Sequence, residues 1–113
     1  MINNCLFCRI IRAEIPTAFV AETEHAVAFR DIDPKAPVHV LIVPRDHVES
    51  LDSAQDEVLL GRLLGLAARV ARETGIAESG YRTVLNTNDD GGQSVAHLHV
   101  HVLGGRRMAW PPG

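Results

Sequence analysis

Apolar residues recur at two spacings along this chain of 113 residues, and each spacing predicts a different kind of element. Over residues 55–74 they recur every three or four positions, which is the spacing of an amphipathic helix. Ser53 is the expected N-cap of this helix, and Gly75 is its stop signal. A second, short helix is expected over residues 6–12, because apolar positions there also recur at near-helical spacing before Pro16.

Shorter apolar runs bounded by turn residues predict strands. A polar turn over residues 22–25 separates the first two, and a loop over residues 31–34, rich in Asp and Pro, follows the second. The expected strands span residues 18–21, 26–29, 38–43, 81–85 and 95–103. Because strands and helices do not alternate as βαβ units, we expect an α+β fold with an antiparallel sheet.

The charge balance and the length of the apolar runs exclude several classes of protein. The chain carries 11 basic and 14 acidic residues, a net charge of −3, whereas a broad nucleic-acid surface needs a basic excess. No apolar run approaches the roughly 20 residues of a membrane span, and the first residues lack the pattern of a signal peptide. We therefore expect one domain over residues 1–113, in the cytoplasm, with no nucleic-acid or membrane partner.

Three histidines alternate with apolar residues near the end of the chain: His97, His99 and His101. On a strand they share one face, and a merely solvated face would more often use Thr, Lys or Glu. Neighbours in the row lie roughly 6.6 Å apart, which counts against the competing interpretation of one zinc ion held by all three. The middle residue, His99, is the natural centre, and a neutral imidazole is a competent nucleophile toward phosphorus.

A polar, glycine-rich loop directly precedes the histidines. Gly91 and Gly92 permit close approach of a ligand to the backbone. The loop N–H groups, the Gln93 amide and the Ser94 hydroxyl are able to hold phosphate oxygens. A simple turn is the alternative, but the position before three histidines favours a phosphate site.

Cys5 and Cys8 have the spacing of a zinc knuckle. A redox motif needs a thioredoxin-like βαβ context, which the pattern lacks, and a structural disulfide is rare in the cytoplasm. Two buried thiols, or a zinc site completed by two further ligands, are the remaining interpretations.

The run over residues 91–106 resembles the histidine-triad (HIT) superfamily, whose motif is His-φ-His-φ-His-φ-φ with φ an apolar residue. The ending, with Trp-Pro-Pro-Gly, is similar to the Hint branch, the purine nucleoside phosphoramidases, as are residues 31–39 and 80–82. The resemblance spans nearly the whole chain. It implies a HIT-like fold, a five-stranded antiparallel sheet with one long and one short helix, and a homodimer in which two sheets join into one.

The resemblance also implies hydrolysis of the P–N bond of purine nucleoside 5′-phosphoramidates through a covalent nucleotidyl-histidine, with no cofactor required for the chemistry. His99 matches the nucleophile, and His39 and His101 match residues that support and polarise the site. Ser94 and Asn86 match positions that contact the phosphate or the leaving group. A dinucleoside polyphosphate hydrolase, a nucleotidyl transferase (which more often has Gln in place of the third histidine) or a nucleotide-binding regulatory protein is the alternative.

Nucleotide contacts are implied in the same way. Asp31 matches a carboxylate that accepts hydrogen bonds from both ribose hydroxyls. Trp110 lies in a tail that the Hint branch places near the partner subunit's active site. The residues that match the apolar purine slot are Leu6, Phe7, Phe29 and Ile32.

A structural zinc ion is implied by bacterial members of the superfamily and by the related galactose-1-phosphate uridylyltransferases. These proteins place two N-terminal cysteines, a histidine after the third strand and the first histidine of the triad on one ion. The matching ligands in this sequence are Cys5, Cys8, His47 and His97.

Overall fold

The fold is a five-stranded antiparallel sheet with a helix packed on each face. The computed structural model describes residues 4–113. Along the chain follow α1 (Leu6–Ile11), β1 (Phe19–Glu22), β2 (Ala26–Arg30), β3 (Val38–Pro44), α2 (Glu57–Glu73), β4 (Tyr81–Val84), α3 (Asn88–Gly91) and β5 (Val100–Gly104). The strand order is β1-β2-β3-β5-β4, and every neighbouring pair is antiparallel. The expected α+β class is confirmed.

The two faces of the sheet bury separate apolar clusters. On one face, Leu63 and Val70 of α2 pack against Val100 and Val102 of β5. On the other face, α1 covers a cluster that includes its own Phe7. Because side chains alternate along a strand, β5 sends its valines toward α2 and its histidine toward α1. Among residues 4–113, no helix is long and apolar enough to cross a membrane.

The long helix begins later than the apolar pattern predicts. Its N-cap is Asp56, not Ser53, and the Asp56 carboxylate accepts hydrogen bonds from the N–H groups of Val58 (3.0 Å) and Leu59 (3.2 Å). Ser53 instead donates to the Ser50 carbonyl (3.1 Å) in the preceding turn. A carboxylate suits this position because it satisfies free N–H groups at the positive end of the helix dipole.

The last strand is also shorter than predicted, because it begins at Val100 and not at residue 95. The ladder with β3 ends at the pair Ile42–Val100. Pro44, beyond that pair, has no N–H to donate, and its carbonyl accepts a hydrogen bond from His97 Nε2 (2.9 Å). His97 and His99 therefore lie in an irregular segment before β5. Leu98 between them is still buried on the α2 side, so the predicted alternation of faces is confirmed.

The other predicted boundaries, those of α1 and β1–β4, agree with the structure to within one residue. The predicted glycine-rich loop before the histidines contains the single-turn helix α3, which the sequence pattern did not indicate. Glycine matters at its end, because Gly92 caps α3 with a φ of 77°, in the left-handed region.

Candidate active site

One ring nitrogen of His99 is hydrogen-bonded to the backbone, and the His99 side chain lines a cavity. Its Nδ1–H donates to the backbone carbonyl of His97 (2.7 Å), so the lone pair of the neutral ring lies on Nε2. Phe7 packs edge-on against the ring, with 5.1 Å between the centroids. The ring of His99 is therefore buried, oriented and equipped with a nucleophilic nitrogen.

His39 and His101 form a hydrogen-bonded chain that starts at a backbone amide. The N–H of Lys35 donates to His39 Nδ1 (3.0 Å), so the proton of neutral His39 lies on Nε2. His39 Nε2 lies 2.9 Å from His101 Nδ1 and donates to it, which leaves the proton of His101 on its own Nε2. That buried nitrogen has no hydrogen-bond partner within residues 4–113. His101 therefore presents an unused donor.

Two cavities meet beside this donor. The first, of about 290 Å³, is mostly apolar, and the second, of about 440 Å³, is more polar and includes His39 and Asn86 in its lining. The residues that line both are Asp31, Ser94 and His101. All of the predicted purine-slot residues line the apolar cavity: Leu6, Phe7, Phe29 and Ile32. The structure thus brings an apolar compartment and a polar compartment together at the predicted catalytic residues.

A separate cluster joins the two cysteines to two histidines. Ligand atoms of Cys5, Cys8, His47 and His97 lie within 4.8 Å of one another. Cys5 Sγ is 3.3 Å from His97 Nδ1, Cys8 Sγ is 3.3 Å from His47 Nδ1, and the two Nδ1 atoms are 3.2 Å apart. Such spacings suit one tetrahedral ion with bonds of about 2.0–2.3 Å. This Cys/His cluster fits a structural metal ion.

Asp31, His39 and His101 also bring possible ligand atoms within 4.8 Å, but the protons on the rings distinguish the two clusters. His97 donates its outer Nε2–H to a carbonyl, which turns the Nδ1 lone pair inward, as metal ligands require. His39 has the reverse arrangement, because the Lys35 amide occupies its outer Nδ1 and keeps the proton on the inner Nε2. The second cluster is therefore a hydrogen-bonded chain.

Burial controls the protonation of these groups. It lowers the pKa of His101 to about 4 and also lowers the pKa of His39. In the Cys/His cluster, burial lowers the pKa of His97 and raises the pKa of the Cys5 thiol. The three imidazoles are therefore neutral near pH 7, as hydrogen-bond relay and metal ligation both require.

Comparison with known proteins identifies the family. Residues 12–108 match the sequence profile of the HIT domain. The chain belongs to the HIT-domain family. A purine nucleoside phosphoramidase of Escherichia coli K12 is 47% identical over 110 residues, which cover 96% of this chain and 92% of the relative. An uncharacterised HIT-like protein of Synechococcus elongatus is 48% identical over 100% of both chains.

Solved HIT structures have the same fold. A HIT family hydrolase from Legionella pneumophila superimposes with a TM-score of 0.93 at 48% identity, over 97% of this chain and 100% of that chain. A histidine triad protein from Clostridium difficile superimposes with a TM-score of 0.92 at 36% identity, over 96% of each chain. The expected superfamily is confirmed, and the HIT-domain chain is an enzyme, a hydrolase of the histidine-triad family.

Two residues that are predicted to contact the nucleotide line neither of the two cavities. Gln93 lines neither cavity, and its side-chain amide is hydrogen-bonded to backbone groups. These bonds do not favour the expected phosphate contact. Trp110 is 80% exposed and lines neither cavity of its own chain, and the guanidinium of Arg82 packs over its ring at 5.8 Å. Its expected place beside a partner subunit's site stays a prediction.

Sequence reasoning also missed part of the site. Further residues that line the apolar cavity include Ile10, Ile15, Pro16, Thr17, Leu41 and Val95. Alternation along β3 would have found Leu41, which shares a face with His39 and pairs with His101 across the ladder. The amide of Lys35 and the carbonyl of Pro44 are backbone groups, and no residue-type pattern reveals them.

Proposed function

We propose that this hydrolase cleaves the P–N bond of purine nucleoside 5′-phosphoramidates through a nucleotidyl-His99 intermediate. The observation that carries the proposal is the ring of His99, which is bound at Nδ1 by the His97 carbonyl and lines the apolar cavity beside the unused donor of His101. The purine nucleoside phosphoramidase of E. coli, a relative over nearly the whole chain, supports this substrate class.

The reaction has two steps. In the first, the Nε2 lone pair of His99 attacks the α-phosphorus, and the P–N bond breaks with its electron pair on the leaving nitrogen. That nitrogen takes a proton from solvent at the polar cavity, so that a neutral amine departs. His99 then carries the nucleotidyl group as a cationic imidazolium. His101, 5.0 Å away between ring centroids, stays neutral and donates its Nε2–H to a phosphoryl oxygen.

In the second step, water attacks the phosphorus of the nucleotidyl group. One proton of the water returns to solvent, the oxygen stays on the phosphorus with the other proton, and His99 leaves with its lone pair restored. The products of the cycle are a nucleoside monophosphate and an amine. No proton or charge is left on the enzyme.

The cavities divide the substrate between them. The apolar cavity takes the purine, and Asp31 at its edge accepts the ribose hydroxyls. The Asp31 carboxylate is already oriented, because its Oδ1 accepts a hydrogen bond from the N–H of Asp33 (2.9 Å). Ser94 and His101 flank the phosphate, since both line both cavities, and Asn86 lies on the polar side, where the amine leaves.

The Cys/His cluster is proposed to hold one structural zinc ion. Two thiolates and two imidazoles are a common donor set of such sites, and the His97 lone pair already faces the cluster. The ion takes no part in either step. Its contribution is to fix His97, whose carbonyl orients the nucleophile.

The enzyme is further proposed to act as a homodimer joined through β4. β4 and β1 are the two edges of the sheet. β1 has a register irregularity between Phe19 and Ala21, a device that protects edge strands from pairing, whereas the register of β4 with β5 is regular. Two β4 edges related by a two-fold axis would extend both sheets into one.

Replacement of the proposed nucleophile tests the function. His99→Ala is expected to reduce turnover of adenosine 5′-phosphoramidate by on the order of 10⁴-fold or more, because the covalent route is lost. Affinity for adenosine monophosphate should change little. Rapid quenching followed by intact-protein mass spectrometry should detect a nucleotidyl adduct on the wild-type chain and none on the variant.

The control for this experiment is His25→Ala, in the turn between β1 and β2 and outside both cavities. It should retain wild-type turnover. Comparable turnover by wild type and His99→Ala would contradict the assigned nucleophile. Cleavage of diadenosine polyphosphate without cleavage of the phosphoramidate would contradict the substrate class.

A further inference from the structure

The amide nitrogen and the amide oxygen of the Gln93 side chain both form hydrogen bonds with backbone groups. Its Nε2 donates to the carbonyls of Glu49 (2.6 Å) and Val95 (3.0 Å), and its Oε1 accepts from the N–H of Asn88 (3.0 Å). A primary amide offers two N–H donors on one side and an acceptor oxygen on the other. The three backbone groups around Gln93 match that arrangement.

These hydrogen bonds join three segments of the chain. Glu49 belongs to the connection after β3 that also carries His47, and Asn88 is the first residue of α3. Val95 belongs to the segment that leads to the histidines. A backbone hydrogen bond from Leu98 N–H to the Val48 carbonyl (2.6 Å) joins the first and third of these segments a second time. We call these three joined segments the junction. Gln93 contributes side-chain hydrogen bonds to it, whereas the Leu98–Val48 bond joins two backbone groups.

Ser94 lies between the anchored positions of this junction. It is exposed, its hydroxyl makes no hydrogen bond within residues 4–113, and it lines both cavities of the site. No hydrogen bond therefore holds its side chain, and its position depends on the backbone. Gln93 fixes that backbone on both sides, as the preceding residue and as the partner of the Val95 carbonyl.

We infer that Gln93 is a positioning residue of the phosphate site, which holds Ser94 at the boundary between the two cavities and does not itself contact the phosphate. This role rests on the proposed function and deepens it, because it names the residue on which phosphate recognition depends. Nucleoside recognition depends on Gln93 much less. Asp31 and the predicted purine-slot residues belong to α1, β2 and the loop after β2, and none of these makes a hydrogen bond to the Gln93 side chain, which reaches the apolar cavity only through the backbone of Val95.

Recognition of the phosphate and recognition of the nucleoside can be measured separately. Gln93→Glu keeps the size of the side chain but sets a carboxylate, which has no donor, against two carbonyl oxygens. We expect kcat/KM for adenosine 5′-phosphoramidate to fall by about 100-fold, the cost of a displacement of about 1 Å at a reacting group. Affinity for adenosine monophosphate should fall as well. Affinity for adenosine, measured by calorimetry, should fall much less. Gln93→Met, which has no such hydrogen-bonding groups, should show the same difference between the two ligands.

Gln55→Glu is the matched control, because it makes the same chemical change at an exposed position before α2. It should keep wild-type values for both ligands. Equal behaviour of Gln93→Glu and Gln55→Glu would contradict the positioning role, and so would a loss of adenosine binding as large as the loss of monophosphate binding, whether by unfolding or otherwise. A wild-type enzyme that binds adenosine monophosphate but cleaves no phosphoramidate would refute the proposed function alone, since the two affinities still test Gln93.

Discussion

His101 acts as a neutral donor because of a backbone group more than sixty residues earlier in the chain. The Lys35 amide fixes the proton of His39, and His39 in turn fixes the proton of His101. The sequence indicated that these two histidines support the nucleophile. It gave no indication of which nitrogen carries each proton, because that depends on a main-chain N–H that every residue except proline has.

The depressed pKa of His101 makes the stability of the fold depend on pH. An unfolded histidine takes up a proton near its ordinary pKa of 6.5, whereas the pKa of folded His101 is about 4. The unfolded chain therefore binds more protons between these values, and the free energy of unfolding falls as the pH drops from 6.5 toward 4. For one proton the slope is at most about 1.4 kcal/mol per pH unit, and partial exposure of the ring reduces it.

His101→Gln removes this titration while keeping a polar side chain of similar size. Chemical denaturation at pH 7 and at pH 5 should show a smaller loss of stability for the variant than for wild type. His39 and His97, whose pKa values are also lowered, continue to contribute in both proteins. An equal loss in the two proteins would show that His101 is not held neutral in the fold.

At the scale of elements, α1 depends on the Cys/His cluster at its beginning. The helix has 6 residues, and helices of this length are not stable alone. Its N-cap is Cys5, whose Sγ accepts a hydrogen bond from the N–H of Cys8 (3.4 Å). The same two sulfurs contact the imidazoles of His47 and His97. The cluster therefore attaches α1 to the segments that follow β3 and precede β5, and Phe7 packs against the ring of His99.

Loss of a ligand should release the proposed zinc ion and loosen α1. Native mass spectrometry of protein purified without chelator should show one zinc per wild-type chain, and none or a fraction for Cys5→Ser and His47→Gln. Both variants should also unfold at a lower temperature, because structural zinc contributes to folding energy. His25→Gln, the same change outside the cluster, should keep its metal. A wild-type chain that carries no zinc even after zinc is added would contradict the site.

The sequence predicted secondary structure best where the spacing of residues within a single element determines it. Alternation along the last segment predicted that its histidines and its apolar residues lie on opposite faces, and the spacing of apolar residues predicted α2. The predicted start of β5 was wrong because the ladder with β3 ends at Ile42–Val100, and Pro44, the next residue of β3 on that side, has no N–H to donate. Gln93 was expected at the phosphate because its type and neighbours suit one, whereas its partners lie in segments that only the fold brings together.

At the scale of the whole molecule, the proposed homodimer joins two β4 edges. Light scattering after size exclusion should give twice the mass of one chain, if two β4 edges pair as proposed. Thr83→Asp, at an exposed position of β4, should give the mass of one chain, because like charges face each other across a two-fold axis. Ala18→Asp, exposed beside the β1 edge, should leave the dimer intact. A monomeric wild type, or a dimer that persists in Thr83→Asp, would contradict this interface.

The two-sided sheet also limits which sequence changes this enzyme can accumulate. Exchange of one apolar residue for another at Leu98 or Val100 alters the packing under α2 and leaves the imidazoles in place. Insertion or deletion of a single residue in this segment would move the side chains to opposite faces. Valines would then line the cavity and imidazoles would lie beneath the helix. The apolar positions of this segment can exchange one apolar residue for another, but the length of the segment is fixed.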